Sequence, residues 1–253
     1  MKISIITITY NSAATVRDAI ASIDAQDYGD IEHIVVDGLS QDATLELVAK
    51  HPKPWRRVVS ESDKGIYDAM NKGFGLATGD VIGFLNSDDM YASSFVVSEI
   101  ARVFQDSNVD ACYADLVYVD QQTAKKVIRY WQSFPYRAGL FAKGVVPPHP
   151  TFYVRRAVYQ EFGGFDDQYL LAADYLYMLK LLEVEGINSC HVPQVWVKMR
   201  IGGATNKSIG NVIKQNLEIY FGARSLGIRL PPLYFVLSKI WIRLSQFVRR
   251  NNF

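Results

Sequence analysis

Val81-Ile82-Gly83-Phe84-Leu85-Asn86-Ser87-Asp88-Asp89 is an apolar run that ends abruptly in an amide and two adjacent carboxylates. Five apolar or small residues in succession read as a strand buried on both faces. Such strands belong to parallel sheets, whose ligands sit beyond the carboxyl ends. The acidic tip is therefore expected to face a ligand. Two carboxylates and an amide oxygen are hard donors suited to Mg²⁺ or Mn²⁺, with substrate phosphates completing the shell. The same residues also make an ordinary turn, in which Asp89 or Ser93 starts a helix carrying Val96, Val97 and Ile100. The stretch alone leaves both readings open.

Outward from this stretch, strands and helices alternate. Lys2 to Ile8 is a β-branched run that predicts a first strand ending at Thr9-Tyr10-Asn11. Val16, Ala19, Ile20 and Ile23 then share one helical face, and Ile31 to Val36 predicts a second strand that stops at Asp37-Gly38. Asp42 is placed to cap a short helix with Leu45, Leu47 and Val48, and Val58-Val59 makes a third strand. This order belongs to an open α/β sheet, with a mononucleotide-binding half over the first ~105 residues. No G-x-G-x-x-G and no G-x-x-x-x-G-K-[ST] occurs, so neither a dinucleotide fingerprint nor a P-loop holds the ligand. Asp37 sits where an acid accepts hydrogen bonds from a base or ribose, or else it is a simple Asp-Gly turn. Thr9 is placed to hydrogen-bond and Tyr10 to stack.

Composition narrows the function classes. A chain of 253 residues with 49% apolar and 21% charged residues buries a full core. A net charge of +1 argues against a general nucleic-acid binder. Cys112 and Cys190 are far apart and lack metal-ligand spacing, which argues against a disulfide framework or a zinc site and fits a reducing cytosol. Thr7, Thr9 and Tyr10 interrupt any signal-peptide core, and no apolar stretch approaches the roughly 18 residues of a spanning helix.

Several motifs in order make the chain resemble family-2 glycosyltransferases of the GT-A fold. They are Ser4 to Asn11, Val35-Val36-Asp37-Gly38 with Ser40 and Asp42, Asp63-Lys64-Gly65-Ile66-Tyr67-Asp68-Ala69-Met70-Asn71-Lys72-Gly73, and the acidic tip Phe84 to Asp89. The resemblance covers about residues 1–205 and is strongest to enzymes that build O-antigen, capsule and exopolysaccharide repeats. It implies an α/β GT-A fold: a Rossmann-like open mixed sheet with helices on both faces. It further implies that Thr9, Tyr10 and Asp37 cradle uracil, with Asn11, Asp63, Lys64, Asn71, Asn86, Ser87 and Asp88 lining the same nucleotide site. The family's D-x-D motif falls on Asn86-Ser87-Asp88, where Asn86 replaces the first acid, so the resemblance assigns the metal to Asp88 and Asp89. The usual Ala-Arg-Asn-x-Gly segment reads Ala69-Met70-Asn71-Lys72-Gly73. Its missing arginine leaves Lys64 or Lys72 to supply the positive charge.

Beyond residue 105, alternation over Val109 to Tyr130, with a polar turn at Asp120 to Thr123, predicts a hairpin at the antiparallel edge of the sheet. Residues 131–148 read as an irregular connection or acceptor loop. His149 precedes a strand at Phe152-Tyr153-Val154, and a lone histidine there is structural or near the active site. Gly163 and Gly164 open a turn whose backbone can approach a ligand closely. Asp174 begins a helix with Leu176, Leu179 and Leu182, as a helix N-terminal acid does. The resemblance instead makes Asp174 the catalytic base, and puts His149, Gly163, Gly164 and Arg200 on the acceptor or diphosphate side. The family often has a metal-binding histidine near Arg200, and none follows here.

The division expected is a GT-A domain over 1–205, with a nucleotide-binding half at 1–105 and an acceptor half at 106–205, then a C-terminal helical extension over 206–253. In that extension Leu233, Val236-Leu237, Ile240-Trp241, Leu244 and Phe247-Val248 share a helical face, while Lys239, Arg243, Gln246, Arg249 and Arg250 lie mostly off it. Such a helix lies on a membrane surface, packs as core, or makes an oligomer contact. The resemblance implies an inverting, Mg²⁺- or Mn²⁺-dependent transfer of a sugar from a UDP-sugar to a lipid-diphosphate-linked saccharide. The expected place is the cytoplasm, peripheral on the inner face of the cell membrane. Two rivals are a nucleotidyltransferase, which should carry a Gly-rich basic loop in place of Thr9 to Ser12, and a silent nucleotide-sugar-binding scaffold.

Overall fold

The structure is a computed structural model that describes residues 1–202 and 208–248. Gly203, Ala204 and Thr205, the expected boundary at 205–206, and Arg249 and Arg250 lie outside the described residues. The first half follows the expected alternation: β1 (Ile3–Thr9), α1 (Val16–Asp24), β2 (Ile31–Asp37), α2 (Thr44–Ala49), β3 (Arg56–Ser60), α3 (Ile66–Leu76) and β4 (Val81–Phe84). These four strands are parallel, ordered β3-β2-β1-β4, and in register from Ile3 opposite Ile31 to Thr9 opposite Asp37. Thr9, Asp37 and Ser60 are thereby aligned at one end of the sheet.

The residues of β1 divide between two cores because successive side chains point to opposite faces. Ile6 and Ile8 join Ile34, Val36, Ile82, Tyr67 and Met70 on one face. Ile3 and Ile5 join Ile31, Val81, Val97 and Ile100 on the other. Both faces are covered, which is why β1, β2 and β4 read as near-continuous apolar runs.

After β4 the chain departs from the expected path. Asp89 does not start the helix; it opens a short strand, β5 (Asp89–Tyr91), and the helix follows as α4 (Val96–Val103). A turn closed by Asp89 N–H to Asn86 C=O (3.0 Å) carries the chain from β4 to β5. The remaining elements are β6 (Ala111–Val119), β7 (Val127–Trp131), β8 (Tyr153–Arg155), α5 (Arg156–Phe162), α6 (Ala173–Leu179) with a π-helical turn at Lys180–Val184, β9 (Ser189–Arg200), α7 (Ile209–Ser225) and α8 (Pro232–Val248). Between β7 and β8 the helical content is two 3-10 turns, Phe141–Lys143 and His149–Thr151.

The full sheet has the order β3-β2-β1-β4-β8-β6-β9-β5, with β7 also on β6. β5 and β4 are four positions apart, roughly 19 Å in a flat sheet at the usual strand spacing. The compact turn between them cannot reach that far, so the sheet curls and brings the end of β9 back to the acidic tip. The hairpin β6–β7 is present, but β6 is not an edge. All nine of its residues are buried, with β9 parallel on one side and β8 and β7 antiparallel along the other. α7 and α8 join the main core through Ile219, Ala223 and Phe235, with Leu230 from the connection between them.

Candidate active site

The first loop beyond the sheet is held by short polar side chains. Asp37 is buried and receives the Thr9 hydroxyl (2.9 Å), the Ser40 hydroxyl and backbone N–H (3.0 Å), and the Ser60 hydroxyl (2.7 Å). Burial opposes its ionisation, but these hydrogen bonds outweigh the burial and hold its carboxyl below the ordinary carboxylate range. Four donors use the full acceptor capacity of a carboxylate. Asp37 therefore braces three strand ends in this structure. Tyr10 beside it is mostly exposed, with Gly38 close to its ring. A Cβ on Gly38 would lie 2.4 Å from Asp63 Oδ2 and 3.4 Å from that ring. Tyr10, Gly38 and Asp63 thus converge on one shelf, while Asp63 Oδ1 accepts from Gly65 N–H (2.9 Å).

Asn11 has a positive φ of 49° and ties the first loop to the second, donating its N–H to Ser40 Oγ and accepting Gln41 N–H at 2.8 Å each. Ser12 N–H donates to Thr44 Oγ1 (2.7 Å), and the Ser87 hydroxyl reaches Ser12 Oγ (2.9 Å). Thr9, Asn11, Asp37 and Ser87 accordingly belong to one connected frame.

The two lysine candidates separate. Lys72 Nζ pairs with Glu61 and Asp68 at 3.2 Å each and donates to the Ser62 carbonyl, so its charge is consumed within its own neighbourhood. The Lys64 side chain is exposed. Asn71 is engaged as well: its Nδ2 donates to Phe165 C=O (2.8 Å) and its Oδ1 accepts Phe165 N–H (2.9 Å). A Cβ on Gly164 would sit 2.4 Å from that same Oδ1. Asn71 and Gly164 thus form a clamp between α3 and the Gly-Gly-Phe turn. Gly163, at φ 81°, ends α5 just before it.

At the acidic tip, Asp88 is partly exposed and Asp89 is buried. Burial and the neighbouring Asp88 charge push the Asp89 carboxyl well above the usual range, against the opposing pull of Asn86 and Arg200. Asn86 Oδ1 and Asp89 Oδ1 are buried without a hydrogen-bond partner. Buried oxygens in that condition are costly until a cation or proton compensates them. The donor set of Asn86, Asp88 and Asp89 fits Mg²⁺ or Mn²⁺. Among the described residues no group of three or more His, Cys, Asp or Glu gathers to hold a metal. An ion here would draw the rest of its shell from water and phosphate, as Mg²⁺ commonly does.

Arg200 is buried at the end of β9, donating to the carbonyls of Asp88 (3.1 Å) and Gln121 (3.2 Å) and pairing with Asp18. The curl of the sheet makes this contact, and Arg200 locks the tip to the hairpin.

Asp174 lies in the first turn of α6, at a small cavity of about 20 Å³ also lined by Met70, Phe84, His149 and Tyr177. Its Oδ1 accepts the Tyr67 hydroxyl (2.9 Å) and Tyr175 N–H (2.8 Å), and its Oδ2 lies 3.2 Å from His149 Nδ1. The carboxylate keeps 20% of its side-chain surface and His149 25%. Burial first, then the Asp174 charge, raises the Tyr67 hydroxyl well above 10, so it remains a donor. Tyr67 holds this position because it lies on the inner face of α3 with Met70. Its periodicity within α3 is the signal that points it inward, although the sequence reading assigns it no role. Lys239 of α8 is a second unforeseen neighbour, donating to Asn216 Oδ1 (2.8 Å). Burial and the Arg243 charge lower its amine to about 8, with Asp174 pulling the other way.

Residues 4–162 match the sequence model described as glycosyl transferase family 2. A PGL/p-HBAD biosynthesis glycosyltransferase of Mycobacterium tuberculosis is 28% identical over 242 residues, covering 94% of this chain and 90% of that protein. The structure of S. aureus TarS in complex with UDP-GlcNAc superposes with a TM-score of 0.68 at 19% identity, over 100% of this chain and 74% of that one. The mannosyltransferase PcManGT of Pyrobaculum calidifontis, in complex with GDP-Man and Mn²⁺, gives 0.67 at 17% identity, over 97% and 70%.

Proposed function

The chain belongs to glycosyl transferase family 2 and is a glycosyltransferase, and from that premise we propose an inverting, metal-dependent transfer from a UDP-sugar to a lipid-diphosphate-linked saccharide, with Asp174 as the base. The observation that carries the proposal is the Asp174 carboxylate, fixed by Tyr67, His149 and the Tyr175 amide yet open at a cavity. A base must be held in orientation and still reach its proton.

In the proposed reaction an acceptor hydroxyl oxygen attacks the anomeric carbon of the donor sugar. The bond from that carbon to the diphosphate oxygen breaks, UDP departs with the bonding electron pair, and the hydroxyl proton passes to Asp174 Oδ2. A single displacement inverts the anomeric centre, giving a β linkage from an α donor. Mg²⁺ or Mn²⁺ held by Asn86, Asp88 and Asp89 would offset charge on the leaving diphosphate. Tyr10 provides the stacking shelf for uracil beside Asp63, and Thr9, Asn11, Asp37 and Ser87 keep that shelf rigid. Lys64 is the cation available to the diphosphate side. Support for a nucleotide-diphospho-sugar donor comes from the fold shared with TarS, which is known bound to UDP-GlcNAc. For the ion, support comes from the unpartnered oxygens at the tip and from the Mn²⁺ bound to PcManGT.

The test is UDP release across a panel of UDP-sugars, with and without a lipid-diphosphate-linked sugar, for the wild type and Asp174→Asn. Acceptor-stimulated release that drops by about 10²–10⁴ in the variant, with UDP affinity by calorimetry retained, supports the assignment. Parallel loss of UDP affinity would move Asp174 to the donor site. Release that no lipid-linked sugar stimulates would remove the acceptor class.

A further inference from the structure

α8 is packed the wrong way round for a helix of a water-soluble core. Its inward face carries Phe235 and Gln246, both buried, together with Lys239. Phe235 meets the Tyr175 ring edge-on at 6.3 Å, and Gly144 accepts the Lys239 stem so closely that a Cβ there would lie 2.9 Å from Lys239 Cγ. The outward face is apolar: Tyr234, Leu237, Ile240, Trp241, Leu244 and Phe247 are 43–74% exposed, with Trp241 the most open. α7 adds exposed Ile213, Leu217 and Phe221 at helical spacing. Scattered exposed apolar residues are ordinary, whereas a continuous helical face of them marks an interaction surface.

The charge of this region selects the occupant. From residue 219 onward the chain holds no Asp or Glu, while Arg224, Arg229, Arg243, Arg249 and Arg250 are cationic, besides the inward-turned Lys239. A second copy of the chain would bring the same cations against these and be repelled. An anionic lipid surface is complementary both to the apolar face and to its basic surroundings. No helix among the described residues is long and apolar enough to cross a membrane, so the fit is to a helix lying in the interface.

We propose that the outward face of α8 docks on an anionic bilayer and so holds the acceptor side of Asp174 at the membrane surface. The link runs through the inward face. α8 rests on the 3-10 turn Phe141–Lys143 through Gly144, and Phe235 touches Tyr175, the residue after Asp174. The docking itself stands on exposure and charge, and only its purpose rests on the lipid-linked acceptor proposed above.

The experiment is co-sedimentation of the full chain with phosphatidylcholine vesicles, with and without phosphatidylserine, at low and high salt. It is repeated with Leu237→Gln/Trp241→Gln/Leu244→Gln, whose three sites are exposed. Binding that requires phosphatidylserine, weakens in salt, and falls roughly tenfold or more in the variant is the expected result. A circular dichroism melt and UDP-sugar hydrolysis verify that the variant folds. Equal binding by wild type and variant, or none by either, overturns the proposal. So does a lipid-free dimer in sedimentation velocity that the variant abolishes, since the face would then join two copies. Vesicle binding without transfer to any lipid-linked sugar would refute the acceptor reading and leave the docking intact.

Discussion

Replacing Tyr67 by phenylalanine removes one hydrogen-bond donor from Asp174 and little else. The ring stays packed beside Phe165, 5.8 Å away between centroids, and only the hydroxyl, 2.9 Å from Asp174 Oδ1, is lost. A hydrogen bond to a charged group contributes about 1.5–3 kcal/mol. At about 1.4 kcal/mol per factor of ten, that corresponds to roughly ten- to a hundredfold in rate if the bond holds the carboxylate in its reactive orientation. Without it the carboxylate is free to turn away from the acceptor, so kcat should fall by roughly that factor in Tyr67→Phe while UDP affinity is retained. The Tyr67 hydroxyl serves as a donor because burial and then the Asp174 charge raise it well above its ordinary value. The assay is UDP release at saturating donor, with UDP affinity by calorimetry as the control. A kcat that stays at the wild-type level would refute the role of this hydroxyl in holding the base.

Asp88→Asn/Asp89→Asn should lower transfer roughly a hundredfold or more, with EDTA doing the same to the wild type; full activity in EDTA would remove the ion from the reaction. Asp37→Asn should lose about 1–3 kcal/mol of stability near neutral pH, since its donors then meet a poorer acceptor. Because the Asp37 carboxyl lies below its ordinary value, its contribution is present above about pH 4 and is lost as pH falls through the folded value. Melts of variant and wild type should converge in acid, and parallel curves would contradict the bracing role. Lys64→Ala should raise the donor KM about tenfold, equivalent to about 1.4 kcal/mol, while Lys72→Ala leaves KM near wild type; the reverse pattern would transfer the diphosphate contact to Lys72.

How much of this was legible before the fold depends on how local the cause is. Runs such as Ile3 to Thr9 and Ile31 to Asp37 declare buried parallel strands because a strand covered on both faces must be apolar throughout. The turn residues after them declare the ligand end, since strand polarity alone places it. The order of motifs carried the resemblance, and with it Asp174 as the residue to watch. β5 and the central position of β6 escaped, because three residues after an acidic turn carry no periodicity and an all-buried strand looks alike at an edge or a centre.

The chain alone therefore determined its element order, its sheet type and the set of polar residues gathered at one end, all consequences of side-chain period and backbone stereochemistry. Only the tertiary structure decided which of those residues are spent and which are open. Asp37, Asn71 and Arg200 bond partners 23, 94 and 182 positions distant in sequence, while Lys72 is paired on and just before its own helix. Tyr67 reaches Asp174 across 107 positions. It also decided the direction of α8: amphipathicity shows that the two faces differ, and the packing of Phe235 and Lys239 shows which one turns inward. A hydrogen bond depends on where two atoms meet, and that meeting is set by the curl of the whole sheet rather than by either residue's neighbours in the chain.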